Sequence, residues 1–595
     1  MNEAVVRHLV FGRDIIFTFG PFASVYTQLY HPSTYPIMLI GSAILAAALC
    51  CGFALLSFKR RPLLLVVVPF LVAIAWSRDA LFLSIPFLLM LSVYRISLPK
   101  DNENSIELTS GTALLIGVVT CAVGILPLIK VSFLGLAFIE GAASIAILLV
   151  AKRFQLAATI LIIAAASMCI GWMWAEQPIR ALPHYLLSQG PIVAGYSEGM
   201  SVEGPFSEVI FWVVPAIIFV IGFYVLLARS TRIGGLIATA GFALYLATSF
   251  KAGFVRQDMH QHAASAALLF SAIALATMLH PRKAIVAAVI AIVGWALIEH
   301  SMQDFRPDAL VQRVRDTYYS TYVSLTRRVT GQDSFPQNFA QANEQTRIEH
   351  PIRGIVGTTD LYPMQLNLLY VNGLPWSGRP VIQSYSTYRP QLDQINAGHL
   401  TGSAAPENIL FSIGAIDNRL PSLEDALSWG VFLTDYSIVG KQIGYIQMKR
   451  TLPPRTAIST PLLDTDAQTN EAIPVPPNDG ITIARIRLRP TLVGQAVLAA
   501  YKLPQVYIQI TLTTGRTVKY RYIPEMGTTG FVLSPLVTSN DDFVAMAAGQ
   551  HGASVKEIRL ISSSNLLWKK NIHVTMDTLH VQPQSDAQKL FSAAK

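Results

Sequence analysis

The residues best suited to chemistry in this sequence lie in short polar segments between long apolar stretches. The richest segment, 251–262, places Lys251, Arg256, Asp258 and His260 within ten residues. Arg offers a two-pronged donor to phosphate, Lys a point charge and His a titratable donor, so the segment predicts a site that binds an anionic substrate. The structural alternative is that the Lys, Arg and Asp side chains pair with one another and that the long basic side chains extend to the membrane–water interface.

A second segment near the N-terminus carries one acid, Asp14, in the run Gly12-Arg13-Asp14. Apolar residues at near-helical spacing precede it at 4–10, and aromatic residues at similar spacing follow it at 22–30. We predict two short amphipathic helices in the membrane interface with Asp14 in the turn between them. Asp14 is then a candidate catalytic base, whereas a simple salt bridge to Arg13 is the alternative.

Two further segments are a turn at Ser77-Arg78-Asp79 and a long loop over 174–205. Arg78 is a candidate substrate ligand, and Asp79 is a candidate ligand for a divalent ion, although a polar hairpin explains the turn equally well. The loop is longer than a connection requires, which favours a functional or lid role. Glu140 stands in the middle of an apolar stretch and has no basic partner at its depth.

The composition indicates which elements must position these residues. The chain has 595 residues, of which 52% are hydrophobic and 14% charged, with a mean hydropathy of +0.45. Soluble domains are nearer to about 25% charged. Residues 1–300 hold only 31 of the 81 charged residues, so we predict a membrane domain followed by a soluble one. No run of Lys or Arg indicates a nucleic-acid partner, and the four cysteines lack zinc spacing.

About ten segments are predicted to cross the membrane, because a spanning helix needs roughly 20 apolar residues. They are 37–58, 62–77, 80–95, 111–129, 131–151, 155–175, 206–228, 233–250, 263–280 and 284–299. Alternate loops carry eleven and five basic residues, and the richer set is placed in the cytoplasm. Residues 1–36 and the chain after about 300 are then extracytoplasmic. Because no helix precedes residues 1–36, either the short segment 2–11 is translocated unaided or the natural reading frame begins upstream with a further helix; we expect the second.

The soluble half is predicted to contain two modules. After a linker at 301–344, strands at 354–357, 380–383, 408–413 and 445–449 alternate with helices, which indicates an α/β domain over 345–450. A second linker is predicted at 451–478 and a β-sandwich at 479–595. Polar residues at predicted strand ends or loops of the α/β domain are candidate ligand contacts: Asp360, Arg379, Gln383, Tyr385, Tyr388, Asp417 and Arg419.

The run Gly12-Arg13-Asp14 with Phe19-Gly20-Pro21 resembles the acidic first outer loop of the membrane-embedded glycosyltransferases of superfamily C (GT-C). The chain is also similar to a group of uncharacterised bacterial polytopic membrane proteins that share Lys-x-Gly-Phe-Val-Arg-x-Asp-x-His, which occurs here at 251–260. The GT-C resemblance implies two interfacial helices bearing a catalytic acid, a polyprenyl-phosphate sugar as donor and an extracytoplasmic C-terminal domain.

We therefore expect a GT-C-like glycosyltransferase of the bacterial cytoplasmic membrane that moves a sugar from a polyprenyl-phosphate donor to an extracytoplasmic glycan or lipid acceptor. Asp14 would be the catalytic base, and six residues would bind substrate: Arg13, Arg78, Lys251, Arg256, Asp258 and His260. A divalent ion (Mg²⁺ or Mn²⁺) near Asp79 is an option that only some members of the superfamily use. A non-catalytic scaffold or export component of envelope-glycan assembly is the main alternative; a transporter and a lipid-linked acyl or phosphoglycerol transferase are others.

Overall fold

The computed structural model describes residues 1–57, 64–75, 77–227, 232–302, 306–550 and 552–593. The chain forms two compact units, each built from several stretches. The first contains Met1–Leu9, Thr18–Pro183 and Val202–Pro336. The second contains Val10–Phe17, His184–Ser201 and Gln337–Lys595. Two loops of the apolar half therefore fold with the C-terminal half rather than with the helices that flank them.

Sixteen helices lie between residues 1 and 349 of the described chain. They are α1 Asn2–Val6, α2 Ala23–Thr27, α3 Tyr35–Ser57, α4 Leu64–Ala75, α5 Arg78–Ser97, α6 Ser110–Ile125, α7 Val131–Val150, α8 Phe154–Trp174, α9 Leu182–Ser188, α10 Gly190–Gly199, α11 Phe206–Leu227, α12 Arg232–Phe254, α13 Gln261–Ala276, α14 Pro281–Ser301, α15 Pro307–Val329 and α16 Phe335–Glu349.

Eight helices within the described ranges are long and apolar enough to cross a membrane. They correspond to eight of the ten predicted segments, which indicates a multi-pass membrane protein. The other two segments, 62–77 and 263–280, contain the shorter helices α4 and α13. Helix α5 is the central helix of the bundle, because 89% of its apolar stretch is buried inside the protein.

Hydrogen bonds at the helix ends order the bundle of the first unit. Arg95 near the end of α5 donates to the carbonyl of Leu56 near the end of α3 at 2.7 Å and lies 3.5 Å from the hydroxyl of Thr277, just after α13. His262 at the opposite end of α13 bonds Glu299 near the end of α14. The ends of α3, α5 and α13 thus lie on one side, and the beginning of α3 lies on the same side as the end of α14.

The predicted pair of N-terminal helices is present as α1 and α2, with Asp14 between them. Both helices are only five residues long. The segment predicted as a linker at 301–344 is mostly helical, because it contains α15 and most of α16.

The α/β module of the second unit has a four-stranded sheet, in the order β1-β2-β4-β3, and three helices. These elements are β1 Thr359–Tyr362, α17 Asn367–Val371, α18 Pro390–Thr401, β2 Asn408–Phe411, α19 Ala426–Asp435, β3 Tyr436–Gln442 and β4 Tyr445–Arg450. Strands β1 and β2 are parallel, and the other pairs are antiparallel. The predicted α/β alternation is present, with two strands misplaced.

The strand predicted at 354–357 is wrong, because Gly354 and Gly357 have φ of +71° and +98°, which an extended strand does not allow. The strand predicted at 380–383 is also wrong. The amide side chain of Asn396 accepts from Val381 N–H at 2.9 Å and donates to Val381 C=O at 3.0 Å. A side chain therefore satisfies the backbone that a neighbouring strand would otherwise pair.

The C-terminal module consists of two four-stranded antiparallel sheets, ordered β10-β7-β12-β5 and β6-β11-β8-β9, that share one apolar core. Its elements are β5 Ala457–Gln468, β6 Ala472–Pro474, β7 Ile481–Arg487, α20 Leu492–Ala500, β8 Val506–Leu512, β9 Thr517–Tyr522, β10 Phe531–Ser534, α21 Asn540–Ala547, β11 Val555–Ile561, β12 Asn571–Val581 and α22 Ser585–Ala593. The segment predicted as a linker at 451–478 contributes two of these strands. Pro461 is tolerated in β5 because this is an edge strand with a bulge at the next residue, Leu462.

The guanidinium of Arg379 is the polar centre of the α/β module. Its side chain is fully buried and lies 2.9 Å from Asp360 and 3.3 Å from Asp425, two acids that are themselves buried. It also donates to the carbonyls of Leu361, Pro363 and Ile382. The Arg379 side chain therefore connects β1 with Pro363, which follows this strand, with Ile382, and with Asp425 at the start of α19.

We expect Arg379→Met to destabilise the second unit strongly, because it leaves two buried carboxylates without their counter-charge. Breaking a buried pair costs about 3–5 kcal/mol. The measurement is the midpoint of thermal unfolding in detergent, followed by tryptophan fluorescence. Arg347→Met is the control, because Arg347 forms an exposed pair with Glu344 and water screens such surface pairs strongly. Equal midpoints for both variants would contradict the role of Arg379.

Candidate functional site

Asp14 lies in a tight loop of the second unit and is held by its own segment. Its carboxylate accepts from Val10 N–H at 2.9 Å and from the Arg13 guanidinium at 2.7 and 2.8 Å. Gly12 has φ of +89°, and a Cβ there would lie 2.6 Å from the Cα of Tyr185, so only glycine fits. The Asp14 side chain is 29% exposed, so the carboxylate is ordered and accessible.

The Asp14 loop is attached to the α/β module through its backbone. Ile16 N–H donates to the carbonyl of Pro380 at 2.7 Å, directly after the buried Arg379. His399 in α18, whose ring lies 3.3 Å from the carbonyl of Ser377, is near enough to act on Asp14 by its charge.

The pKa of Asp14 reflects these neighbours. Partial burial alone would raise it, but the hydrogen bonds from Arg13 and Val10 and the charges of Arg13 and His399 lower it below the ordinary value. The carboxylate is therefore ionised at neutral pH. His399 was not predicted from the sequence, because only the fold brings α18 to this loop.

Six of the predicted site residues belong to the first unit, at or near the ends of its helices: Arg78, Asp79, Lys251, Arg256, Asp258 and His260. Asp79 accepts from Lys130 Nζ at 2.8 Å and from the Tyr26 hydroxyl at 2.7 Å, and Lys130 Nζ lies 4.3 Å from the centre of the Tyr26 ring. Arg78 donates to the Tyr26 carbonyl at 2.5 Å. Lys130 and Tyr26 were not among the predicted site residues. The position of Lys130 between two apolar stretches could have indicated that it has an acidic partner.

This donor set suits an ion pair better than a divalent cation, because Mg²⁺ requires several oxygen ligands. Within the described residues, no group of three or more His, Cys, Asp or Glu side chains could hold a metal ion. The metal role of Asp79 stays a prediction.

The segment 251–262 turns from α12 into α13 and brings three of its predicted residues together. Asp258 accepts from Arg256 Nε at 2.6 Å and lies 2.7 Å from His260 Nδ1. Met259 has φ of +97°, a backbone conformation that costs energy in a residue other than glycine. Lys251 lies in the last turn of α12, one turn before this group.

Two buried acids hold this turn in place through hydrogen bonds. Glu208 accepts from the side-chain amides of Gln257 at 3.0 Å and Gln261 at 3.1 Å, and from Ser301 at 2.6 Å. Glu299 in turn bonds His262, as well as Ser265 at 2.9 Å. Neither acid was predicted from the sequence. The feature that could have identified them is a carboxylate in the first or last turn of an apolar helix, where an unpaired charge is costly.

The loop 184–201 is firmly bound within the second unit. Arg419 and Arg521 donate to the carbonyl of Gly199 at 2.7 and 3.1 Å, and Arg521 also donates to the hydroxyl of Ser201 at 3.0 Å. Glu198 accepts from the backbone N–H of Glu525 at 3.0 Å. These bonds make the middle of the long loop a structural part of this unit, which does not favour the predicted lid role.

Burial, reinforced by the nearby charge of Glu525, raises the pKa of Glu198 to about 7. The folded state then holds a proton that the unfolded chain releases near the ordinary pKa of 4.5, so the stability of the fold falls as pH rises from about 4.5 to 7.

We expect Glu198→Gln to make this fall in stability less steep in thermal unfolding measured between pH 4.5 and 8. Glu176→Gln, at an acid that is 62% exposed, should keep the wild-type slope; an unchanged slope for Glu198→Gln would contradict the assignment.

Comparison of the chain with protein-family models, with curated proteins and with solved structures finds no match. The site is therefore interpreted from its own geometry.

Proposed function

We propose that this protein is a membrane glycosyltransferase that moves a sugar from a polyprenyl-phosphate donor to an extracytoplasmic acceptor. The observation that carries the proposal is the Asp14 loop: an ionised, accessible carboxylate, held in a defined position and attached to the C-terminal half through Ile16 and Pro380. Such a group can accept a proton from an acceptor hydroxyl.

The donor phosphate would bind at the turn that carries Arg256 and His260. Both are paired with Asp258, whose side chain is 33% exposed. A phosphate has more charge and more acceptor oxygens than this carboxylate, so it can compete for the same donors. Lys251 and Arg78 would add positive charge, and Arg13 would keep Asp14 ionised.

The reaction forms a bond between the acceptor oxygen and the anomeric carbon of the sugar. The bond from that carbon to the phosphate oxygen breaks, and its electron pair leaves with polyprenyl phosphate. The acceptor proton goes to Asp14. Arginine and lysine stabilise the charge that develops on the departing phosphate.

Chain topology supports ten spans. Val10–Phe17, His184–Ser201 and Gln337–Lys595 form one compact unit, so they share one side of the membrane. The chain must then cross an even number of times within 18–183 and again within 202–336. Five and three long apolar helices lie in these stretches, so α4 and α13 would supply the sixth and the fourth crossing. The excess of basic residues in the opposite loops supports an extracytoplasmic position for the second unit.

One observation favours the scaffold alternative. Asp14 and Arg256 each have an ion-pair partner within two residues of their own segment, so each could serve only to stabilise its turn. The two functions differ in whether neutral substitutions at these positions change activity or only stability.

We expect Asp14→Asn to reduce sugar transfer by at least about 100-fold, the low end of what general base catalysis contributes. The assay is release of polyprenyl phosphate from a panel of polyprenyl-phosphate sugars by the purified protein in lipid nanodiscs. Asp479→Asn, at an acid that is 88% exposed, is the matched control and should keep wild-type activity. Full activity of folded Asp14→Asn would remove Asp14 from the reaction, and loss of stability without loss of specific activity would support the scaffold.

Arg256→Gln should weaken binding of the donor rather than abolish chemistry, because it removes one of several positive charges. We expect a raised KM for the donor and weaker inhibition by polyprenyl phosphate, with a smaller change in kcat. Arg180→Gln, at an exposed arginine of the 174–205 loop, is the control. An unchanged KM for Arg256→Gln would place the phosphate elsewhere.

A further inference from the structure

Helix α15 in the first unit has an apolar stripe that no described part of the chain covers. Residues at helical spacing along one face are apolar, and five of them are between 43% and 81% exposed. They are Val311, Tyr318, Tyr322, Leu325 and Val329. The other faces carry mostly polar residues, with four Arg and two Asp in the helix.

Both ends of α15 lie at ends of membrane-spanning helices on the same side of the bundle. The helix begins a few residues after Ser301, whose hydroxyl bonds Glu208 in the first turn of α11. Just beyond its other end, Asp333 accepts from the hydroxyl of Tyr35, the first residue of α3, and the Arg328 guanidinium lies 5.3 Å from the centre of the Tyr35 ring.

A helix of 23 residues is about 35 Å long, enough to cross a bilayer. Because both of its ends stay on one side of the bundle, α15 must instead run along the surface of the membrane domain. Its middle is attached there, since the Tyr318 hydroxyl donates to the carbonyl of Pro69 in α4 at 2.7 Å.

We propose that α15 lies in the headgroup region of the membrane and binds anionic phospholipid. The apolar stripe would enter the boundary between headgroups and acyl chains, next to the exposed apolar side chains of α4 such as Phe70. Tyrosine is typical of this depth, and the exposed Arg315, which flanks the stripe, would contact lipid phosphates. Continuity with the membrane-spanning helices and the net positive charge favour lipid over a second protein. This inference does not depend on the proposed enzymatic activity.

The experiment measures where single spin labels on α15 reside in the full-length protein. Cys50, Cys51, Cys121 and Cys169 are replaced by alanine, and labels are placed at Leu325→Cys and Val329→Cys on the stripe. Ser320→Cys, on the opposite face, is the matched control. The protein is reconstituted in nanodiscs of phosphatidylcholine with or without phosphatidylglycerol. Accessibility to oxygen, which concentrates in the bilayer, is compared with accessibility to the water-soluble complex Ni-EDDA.

We expect the ratio of oxygen to Ni-EDDA accessibility to be several-fold higher at 325 and 329 than at 320, and to decrease when phosphatidylglycerol is omitted. Arg315→Gln should reduce this dependence on lipid charge. Equal ratios at all three positions would place the stripe in water and overturn the proposal. Dipolar broadening at 325 that disappears on dilution with unlabelled protein would also overturn it, by assigning the stripe to a second copy of the chain.

Discussion

The buried guanidinium of Arg379 is the interaction on which the organisation of the second unit depends. A charge in the interior is tolerated only when an opposite charge balances it, and Asp360 and Asp425 supply that charge. The bonds to them determine the path of the chain after Arg379. The next residue, Pro380, accepts from Ile16, and two residues before Ile16 stands Asp14. The buried cation thus lies next to the residue that anchors the loop carrying the accessible carboxylate.

The same constraint shapes the helix ends of the first unit. Asp79 has Lys130, Glu208 has two glutamine amides, and Glu299 has His262. Near a bilayer these charges cannot be left without partners, because little water is present to solvate them. The pairs therefore connect helices that are distant in sequence, and they hold the 255–260 turn in a conformation that leaves Asp258 partly exposed.

Elements defined by periodicity and length could be predicted from the sequence. The long apolar helices, the α/β alternation and the C-terminal β-sandwich follow from local patterns, because apolar side chains at regular spacing fix both the element and its buried face. The strands at 354–357 and 380–383 could not be predicted correctly. Gly354 and Gly357 adopt left-handed conformations, and the partner of Val381 is a side chain 15 residues away.

The candidate site could be predicted only where its residues are neighbours in sequence. Arg256, Asp258 and His260 are within four residues of one another, and the turn brings them together as their spacing indicated. Partners such as Lys130, Glu208 and His399 lie tens or hundreds of residues from the groups they act on. Tertiary packing brings these partners next to the groups they act on, and such distances cannot be read from a single sequence.

The lowered pKa of Asp14 has a consequence for the proposed reaction. A carboxylate stabilised by Arg13 and a backbone amide is a weak base, and proton removal is most effective when the pKa of the base lies near the operating pH. Asp14 would therefore contribute less by pulling the proton early than by its negative charge, which favours the positive character that develops at the sugar carbon as the phosphate leaves. Most of the acceleration must then come from stabilisation of the departing phosphate. Several basic residues of the 251–260 segment would share this stabilisation, so no single one of them would supply all of it.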